Sequence, residues 1–347
     1  MNQSILSRNA CNALRGLAII GIFLHNYCHW LGPIVKENEY QFFQRNADWL
    51  TQVLANPDIN LPIHLLSFFG HYGVPVFLFL SAYGLVMKYE AKPHITAEQQ
   101  AQMYSISGKN QSWRINWREP LRFIRYHYMK LFKMMIVGYV AFTLIDYITP
   151  GPRHYEVLGI VSMMGMFNNV LPNPDDIIWP GPYWFFGLML QLYIVYRLLL
   201  YRRHWGWTVG LMLICIGIQL ILGFDNPESE AMNRYRYNFM GGMLPFGLGI
   251  LYARYGEKIL MTFHSPITNL FGCIFCACFI RLFMFPGIPP GNPPLFAILH
   301  PPVIAILFVF HFNVHVDDLF QIDIILFEWT PRVVGLHHHF NLFTDPA

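Results

Sequence analysis

An arginine followed ten residues later by a histidine, inside a mostly apolar segment, is the first pattern in this chain that could do chemistry. The residues are Arg15 and His25 in RNACNALRGLAIIGIFLHNYCHW. At 1.5 Å per helical residue, His25 lies roughly 15 Å beyond Arg15, close to the middle of a bilayer whose edge Arg15 marks. Ionisable groups at that depth are costly and by default mark a function; a neutral imidazole hydrogen-bonded to a neighbouring helix is the plainer alternative. A guanidinium at the mouth can hold phosphate while an imidazole deeper in handles a proton. A thioester donor with a phosphorylated, extended carrier arm suits that geometry, its anionic head at the membrane surface and its acyl end reaching inward.

The elements that must position this pair are membrane helices. Of 347 residues, 54% are hydrophobic and 12% charged, with a mean hydropathy of +0.35, against about 25% charged in an average soluble domain. Segments apolar enough to span lie at about 14–31, 62–87, 128–148, 183–201, 208–223, 239–252, 267–285, 296–312 and 319–336. The stretch from Val157 to Val170 reads as a span, a re-entrant piece or an interfacial helix. The expectation is an all-α, polytopic transmembrane bundle of about nine to ten spans, forming one domain over residues 1–347. Arg8, Arg15, Lys88 to Lys133, Arg197, Arg202, Arg203, Arg254 and Lys258 flank alternate ends of these spans. The positive-inside rule therefore puts the N-terminus in the cytosol, with outward loops near Pro33, Pro150, Asn226 and Pro289. Arg8 and Arg15 precede a first segment that has no clear cleavage site, so this helix is read as retained.

The net charge of +3 leaves no basic stripe for a nucleic acid. Of six cysteines, Cys273, Cys276 and Cys278 fall in the apolar run FGCIFCACFI with no His or carboxylate beside them. Neither a disulfide nor a metal site is expected, and no tightly bound cofactor.

Taken together, LRGLAIIGIFLH, GVPVFLFLSAYGLVMKY, LRFIRYHYMKLFK, YWFFGLMLQLYIVYRLL and MLPFGLGILYA resemble, in order, the helices of the membrane acyltransferase family 3. That family includes polysaccharide and lipopolysaccharide O-acetyltransferases of the bacterial cytoplasmic membrane. The resemblance implies acetyl-CoA or another acyl-CoA as donor and a glycan or lipid-linked sugar as acceptor, among membrane lipids. It implies His25 as catalytic base and Arg15 as a donor-site residue. Arg122 and Arg125 match the family's basic patch and would contact CoA phosphates; topology anchoring is the alternative use. On the acceptor side stand Asn26, His29, Trp184 and Gln191, with packing or interfacial anchoring as the alternatives. Trp30, Tyr72 and Trp179 are further aromatics that could stack on a sugar.

Departures from the family pattern stand out. The family leaves one more residue between its basic residue and its histidine, a register that would select Asn26, which cannot accept a proton at neutral pH. At about 100° per residue, ten steps leave His25 roughly 80° from the face of Arg15. The glutamate common in the Trp-to-Tyr segment is replaced by Met189 or Leu190, with Gln191 following, so an orienting acid would have to come from Asp175 or Asp176. Ser81 is followed by Ala82 and Tyr83 instead of a Gly-aromatic pair, which reads as packing. The tail beyond residue 319 diverges or stops early, and its run His337, His338, His339 points around a helix and so reads as surface. Asp146, Arg281 and His300 read as helix-end or interfacial groups. A secondary transporter or flippase using His25 as a proton relay, and a relative without catalytic activity, are the competing readings.

Overall fold

The computed structural model describes residues 6–37, 43–90, 117–149, 155–171, 177, 181–223 and 230–260. Among them every regular element is helical. In chain order these are α1 (Arg8–Cys28), α2 (Gln44–Ala55), α3 (Leu61–Phe69), a 3-10 turn (Gly70–Tyr72), α4 (Gly73–Tyr89) and α5 (Arg118–Ile148). There follow α6 (Val157–Gly165), α7 (Trp184–Val195) with a π-helical end (Tyr196–Leu200), α8 (Trp205–Gly223), α9 (Glu230–Tyr237) and α10 (Phe239–Leu260). Four stretches among the described residues are long and apolar enough to cross a membrane: Leu61–Tyr89, Arg118–Ile148, Gly181–Leu200 and Trp205–Leu222. The spans expected at 267–285, 296–312 and 319–336 lie outside the described residues, as do Cys273, Cys276, Cys278, Asp175, Asp176, Trp179, Arg281, His300 and the histidines at 337–339.

The column formed by α3, the 3-10 turn and α4 is the centre of the bundle, with 67% of its apolar window buried against 17% for α5. Leu78, Phe79, Leu80 and Ala82, on all sides of α4, are buried. By contrast α5 exposes Val137, Leu144, Ile145 and Ile148, a face that water would not tolerate and hydrocarbon does. Membrane helices gain little from the hydrophobic effect between themselves, so close approach at small residues holds them together. A Cβ on Gly73 would lie 2.5 Å from the Ala18 carbonyl oxygen of α1 and 2.8 Å from Ile22 Cγ1. On the other flank a Cβ on Gly249 of α10 would lie 3.0 Å from Ala82 Cβ.

One end of the bundle collects the basic residues and carries a buried ionic lock. Glu90, just beyond α4, pairs with Arg254 of α10 at 2.8 Å, both side chains about 10% exposed or less. The carboxylate also accepts from the Tyr196 hydroxyl at 2.9 Å, while Arg254 donates to the Leu200 carbonyl at 2.8 Å. That carbonyl closes the π-helical end of α7, so the irregular turn is tied into the lock.

Near the opposite end, the stretch after α5 narrows the readings of Val157 to Val170. Nine residues of α6 span only about 13 Å, too little to cross. The helix stops at Met166, whose φ of 56° lies in the left-handed region, and the chain turns back into the protein. Asn169 is fully buried there, its Nδ2 donating to the Trp184 carbonyl at 2.7 Å and the Tyr237 carbonyl at 2.6 Å. In return Asn238 Nδ2 donates to the Asn169 carbonyl at 2.9 Å, so the buried 3-10 turn Asn168–Val170 is tied to the elements around it. The helix therefore does not cross as a span of its own.

Candidate functional site

The side chain of His25 is 2% exposed and faces the central column. Its Nδ1 lies 2.6 Å from the Ser67 carbonyl oxygen. The α-type ladder of α3 ends with the Gly70 N–H on the Leu66 carbonyl, and the backbone then tightens into the 3-10 turn. Ser67 therefore offers the next carbonyl in line, one of those that a helix end leaves to outside partners. A carbonyl can only accept, so Nδ1 carries the hydrogen and Nε2 is left with its lone pair. This is the tautomer that a general base needs, and it is fixed by the main chain.

The approach that makes this bond possible is set by two glycines. A Cβ on Gly70 would sit 2.6 Å from His25 Cβ, and one on Gly21 would sit 3.4 Å from the Gly70 carbonyl oxygen. His29 joins from the next turn of α1, its Nε2 3.3 Å from the same Ser67 oxygen and its ring 4.1 Å from that of His25. His71, on the 3-10 turn, places its ring 5.3 Å from His25. Two imidazoles thus share one carbonyl with a third ring beside them, and no grouping of His, Cys, Asp or Glu among the described residues has the geometry of a metal site. The hydroxyl of Ser67 is buried and makes no hydrogen bond among the described residues.

Arg15 meets the same column farther down. Its guanidinium donates to the Leu80 carbonyl at 3.2 Å and to Asn12 Oδ1 at 3.4 Å. Thirteen residues separate Ser67 from Leu80, or roughly 20 Å along the column, with Arg15 toward the basic end. The offset of roughly 80° between Arg15 and His25 does not part them, because α1 crosses the column between the two residues, at Ala18 and Gly21 against Gly73 and Gly70.

The other expected site residues are spread out. Asn26 is exposed, its amide donating to the Ile22 carbonyl of its own helix at 2.8 Å. Arg122 and Arg125 are exposed at the basic end, with Arg122 3.6 Å from Glu119. Gln191 is engaged at both ends of its amide: Nε2 donates to Asn238 Oδ1 at 2.7 Å, and Oε1 accepts from the Phe239 N–H at 2.9 Å. It caps the start of α10. Trp30 is 89% exposed.

Trp184 is buried on the wall of a cavity of about 70 Å³, which it shares with His71, Tyr72, Gln219 and Arg236. His25 does not line this cavity; His71 stands between them. Arg236, on α9, is held below the usual guanidinium range at about 10 by burial, which the charge of Glu37 partly offsets. It remains a cation at neutral pH. His71, Arg236 and the Ser67 carbonyl were invisible as site groups in the sequence; the paired glycines of GHYG, which interrupt an apolar run, were the available signal for the first and last.

Comparison with known families gives a match to the acyltransferase domain, acyltransferase family 3, over residues 8–318. Comparison with curated proteins and with solved structures gives no match. The matched stretch contains the crossing of α1 with the central column and the apolar helices around it. The chain is therefore an integral membrane protein belonging to acyltransferase family 3.

Proposed function

We propose that the protein moves an acetyl or other short acyl group from cytosolic acyl-CoA to a hydroxyl of an extracytoplasmic or lipid-linked glycan, in a bacterial-type cytoplasmic membrane with the basic end and the N-terminus in the cytosol. The observation that carries this reading is the buried His25, its Nδ1 held at 2.6 Å by the Ser67 carbonyl with Arg15 toward the basic end of the same helix pair. Arg15, Arg122 and Arg125 hold the phosphorylated head of the donor. His25 Nε2 takes the proton of the acceptor hydroxyl as that oxygen attacks the thioester carbonyl carbon. The C–S bond breaks, the imidazolium returns its proton to the thiolate, and CoA leaves on the cytosolic side. Burial of His25 keeps water from competing for the acyl group. Trp184 and the cavity it lines lie on the acceptor side, away from Arg15. Asn26, on the exposed face, and Gln191, a cap, take no direct part.

Purified protein in lipid nanodiscs tests the reading through CoA release. His25→Gln should lower kcat by ~10³-fold, the order expected for losing a general base, while helical content and melting temperature stay unchanged. Arg15→Ala should raise KM for acyl-CoA more than KM for the acceptor. Retained turnover in His25→Gln would defeat the assignment, and CoA release by neither protein with any acyl-CoA would indicate a relative without transferase activity.

A further inference from the structure

Two cavities flank α9: Ala231, Arg234 and Tyr235 line one, and Arg236 lines the other. The larger, about 630 Å³, is lined by Arg234 and Tyr235 of α9, Ile194 and Val195 of α7, and Phe239 and Met240 of α10. The smaller, about 70 Å³, holds Arg236, with His71 and Trp184 on its wall. Residues two apart on a helix do not share a face, so the two arginines stand on opposite sides of a one-helix wedge. Met240 lines both spaces, and its carbonyl is held by Gln219 Nε2 at 3.2 Å. The two spaces thus share Met240 in their walls.

The larger cavity is chemically one-sided. Its walls are aliphatic and aromatic except for Arg234 and the amides of Gln191 and Asn238, which bond each other at 2.7 Å. Arg234 makes one long contact, to the Val170 carbonyl at 3.4 Å, and no ion pair among the described residues engages it. Glu230, one turn earlier on α9, is exposed. The lip is open, with Val170 57% exposed. A half-buried guanidinium over a hydrocarbon-lined space of this size fits an anion attached to an apolar chain.

The geometry points to this groove as the entry of the acceptor, which it takes as a phosphate borne on a membrane-resident polyisoprenoid chain, with Arg234 on the phosphate. The chain lies along Ile194, Val195 and Phe239, and the sugar beyond the phosphate passes Met240 toward Trp184 and His71. The direction of passage rests on the acyl-transfer reading; the binding does not.

Native mass spectrometry of the purified full chain in detergent tests it without any acyl donor. The probes are a polyprenyl monophosphate, the polyprenyl alcohol of equal length, phosphatidylglycerol and inorganic phosphate. The monophosphate should bind wild type and His25→Ala equally, at least tenfold more weakly in Arg234→Glu, and within threefold of wild type in Arg234→Lys. The alcohol should bind at least tenfold more weakly than the monophosphate, and inorganic phosphate should not displace it. Undiminished binding in Arg234→Glu, equal loss in Arg234→Lys, parity with the alcohol or with phosphatidylglycerol, or displacement by free phosphate would each overturn the proposal. Intact Arg234-dependent binding in a protein that never releases CoA would defeat only the acyl-transfer reading. Turnover on a lipid-linked acceptor that Arg234→Glu leaves unchanged would defeat only the groove.

Discussion

Replacing Gly70 by alanine tests whether the crossing of α1 with the central column is what sets the base. The added Cβ would lie 2.6 Å from His25 Cβ, where ordinary contact is 3.4–4 Å, so the helices must part by about 1 Å. The neighbour is the root of the imidazole itself and the Gly21 backbone, neither of which can swing away. Parting by that amount stretches the bond from Nδ1 to the Ser67 carbonyl from 2.6 Å to a separation that no longer counts as a hydrogen bond. The imidazole then loses both its tautomer and its aim. A displacement of this size costs ~10²-fold in rate when it falls on reacting groups, alongside ~1–3 kcal/mol of stability from overpacking. The expected outcome is a kcat for CoA release lower by ~10²-fold with KM for acyl-CoA held within about threefold. Gly16, on the same helix with nothing within 4 Å of its would-be Cβ, provides the control: Gly16→Ala should leave kcat unchanged and, as a helical exchange, add ~0.5–1 kcal/mol. A Gly70→Ala protein that turns over at the wild-type rate, while its melting temperature falls, would show that the crossing packs the fold but does not aim His25.

Arg254→Ala leaves Glu90 buried and uncompensated, and should destabilise the protein by ~3–5 kcal/mol, read as a fall in thermal midpoint in nanodiscs; a midpoint within a degree of wild type would mean that water reaches Glu90. Gln191→Ala strips the Phe239 N–H and Asn238 of their partner, and should cost ~1–3 kcal/mol while KM for donor and acceptor move together; a rise in acceptor KM alone would restore Gln191 to the substrate. Asn26→Ala should change neither turnover nor stability beyond about 0.5 kcal/mol, checked in the same two assays, since its exposed amide bonds only its own helix.

The parts of the fold legible in the sequence were those carried by apolar length. The spans at 183–201 and 208–223 reappear within a few residues as Gly181–Leu200 and Trp205–Leu222, because twenty apolar residues leave the backbone one option in hydrocarbon. The column Leu61–Tyr89 was likewise expected, but its interruption at Gly70–Tyr72 was not. A 3-10 turn changes no residue's polarity, so hydropathy cannot register it. The stretch at Val157 to Val170 stayed ambiguous for a different reason: whether it crosses or turns back depends on where Asn169 finds its carbonyls, and both lie on other elements, at Trp184 and Tyr237. The same limit applied to His25 and Asn26. Adjacent residues on a helix differ by about 100°, and the sequence alone could not say which of them faces the column.

That choice of partner bears on how the imidazole is oriented. A carboxylate behind the histidine would have to be ionised in a low-dielectric interior, at several kcal/mol of desolvation. The residues where a carboxylate was sought, Met189 and Leu190, are buried apolar side chains in the structure. A helix end already contains carbonyls with no intrahelical donor, and a break placed next to the base presents one of them at no such cost. The 3-10 turn at Gly70–Tyr72 creates that break, and the absence of a side chain at Gly70 lets α1 come close enough to use it. Orientation of the base and tight crossing of the helices are therefore one feature, which is why a single methyl group at Gly70 should disturb both while a change to the Ser67 side chain, whose hydroxyl takes no part in the bond, leaves the carbonyl in place.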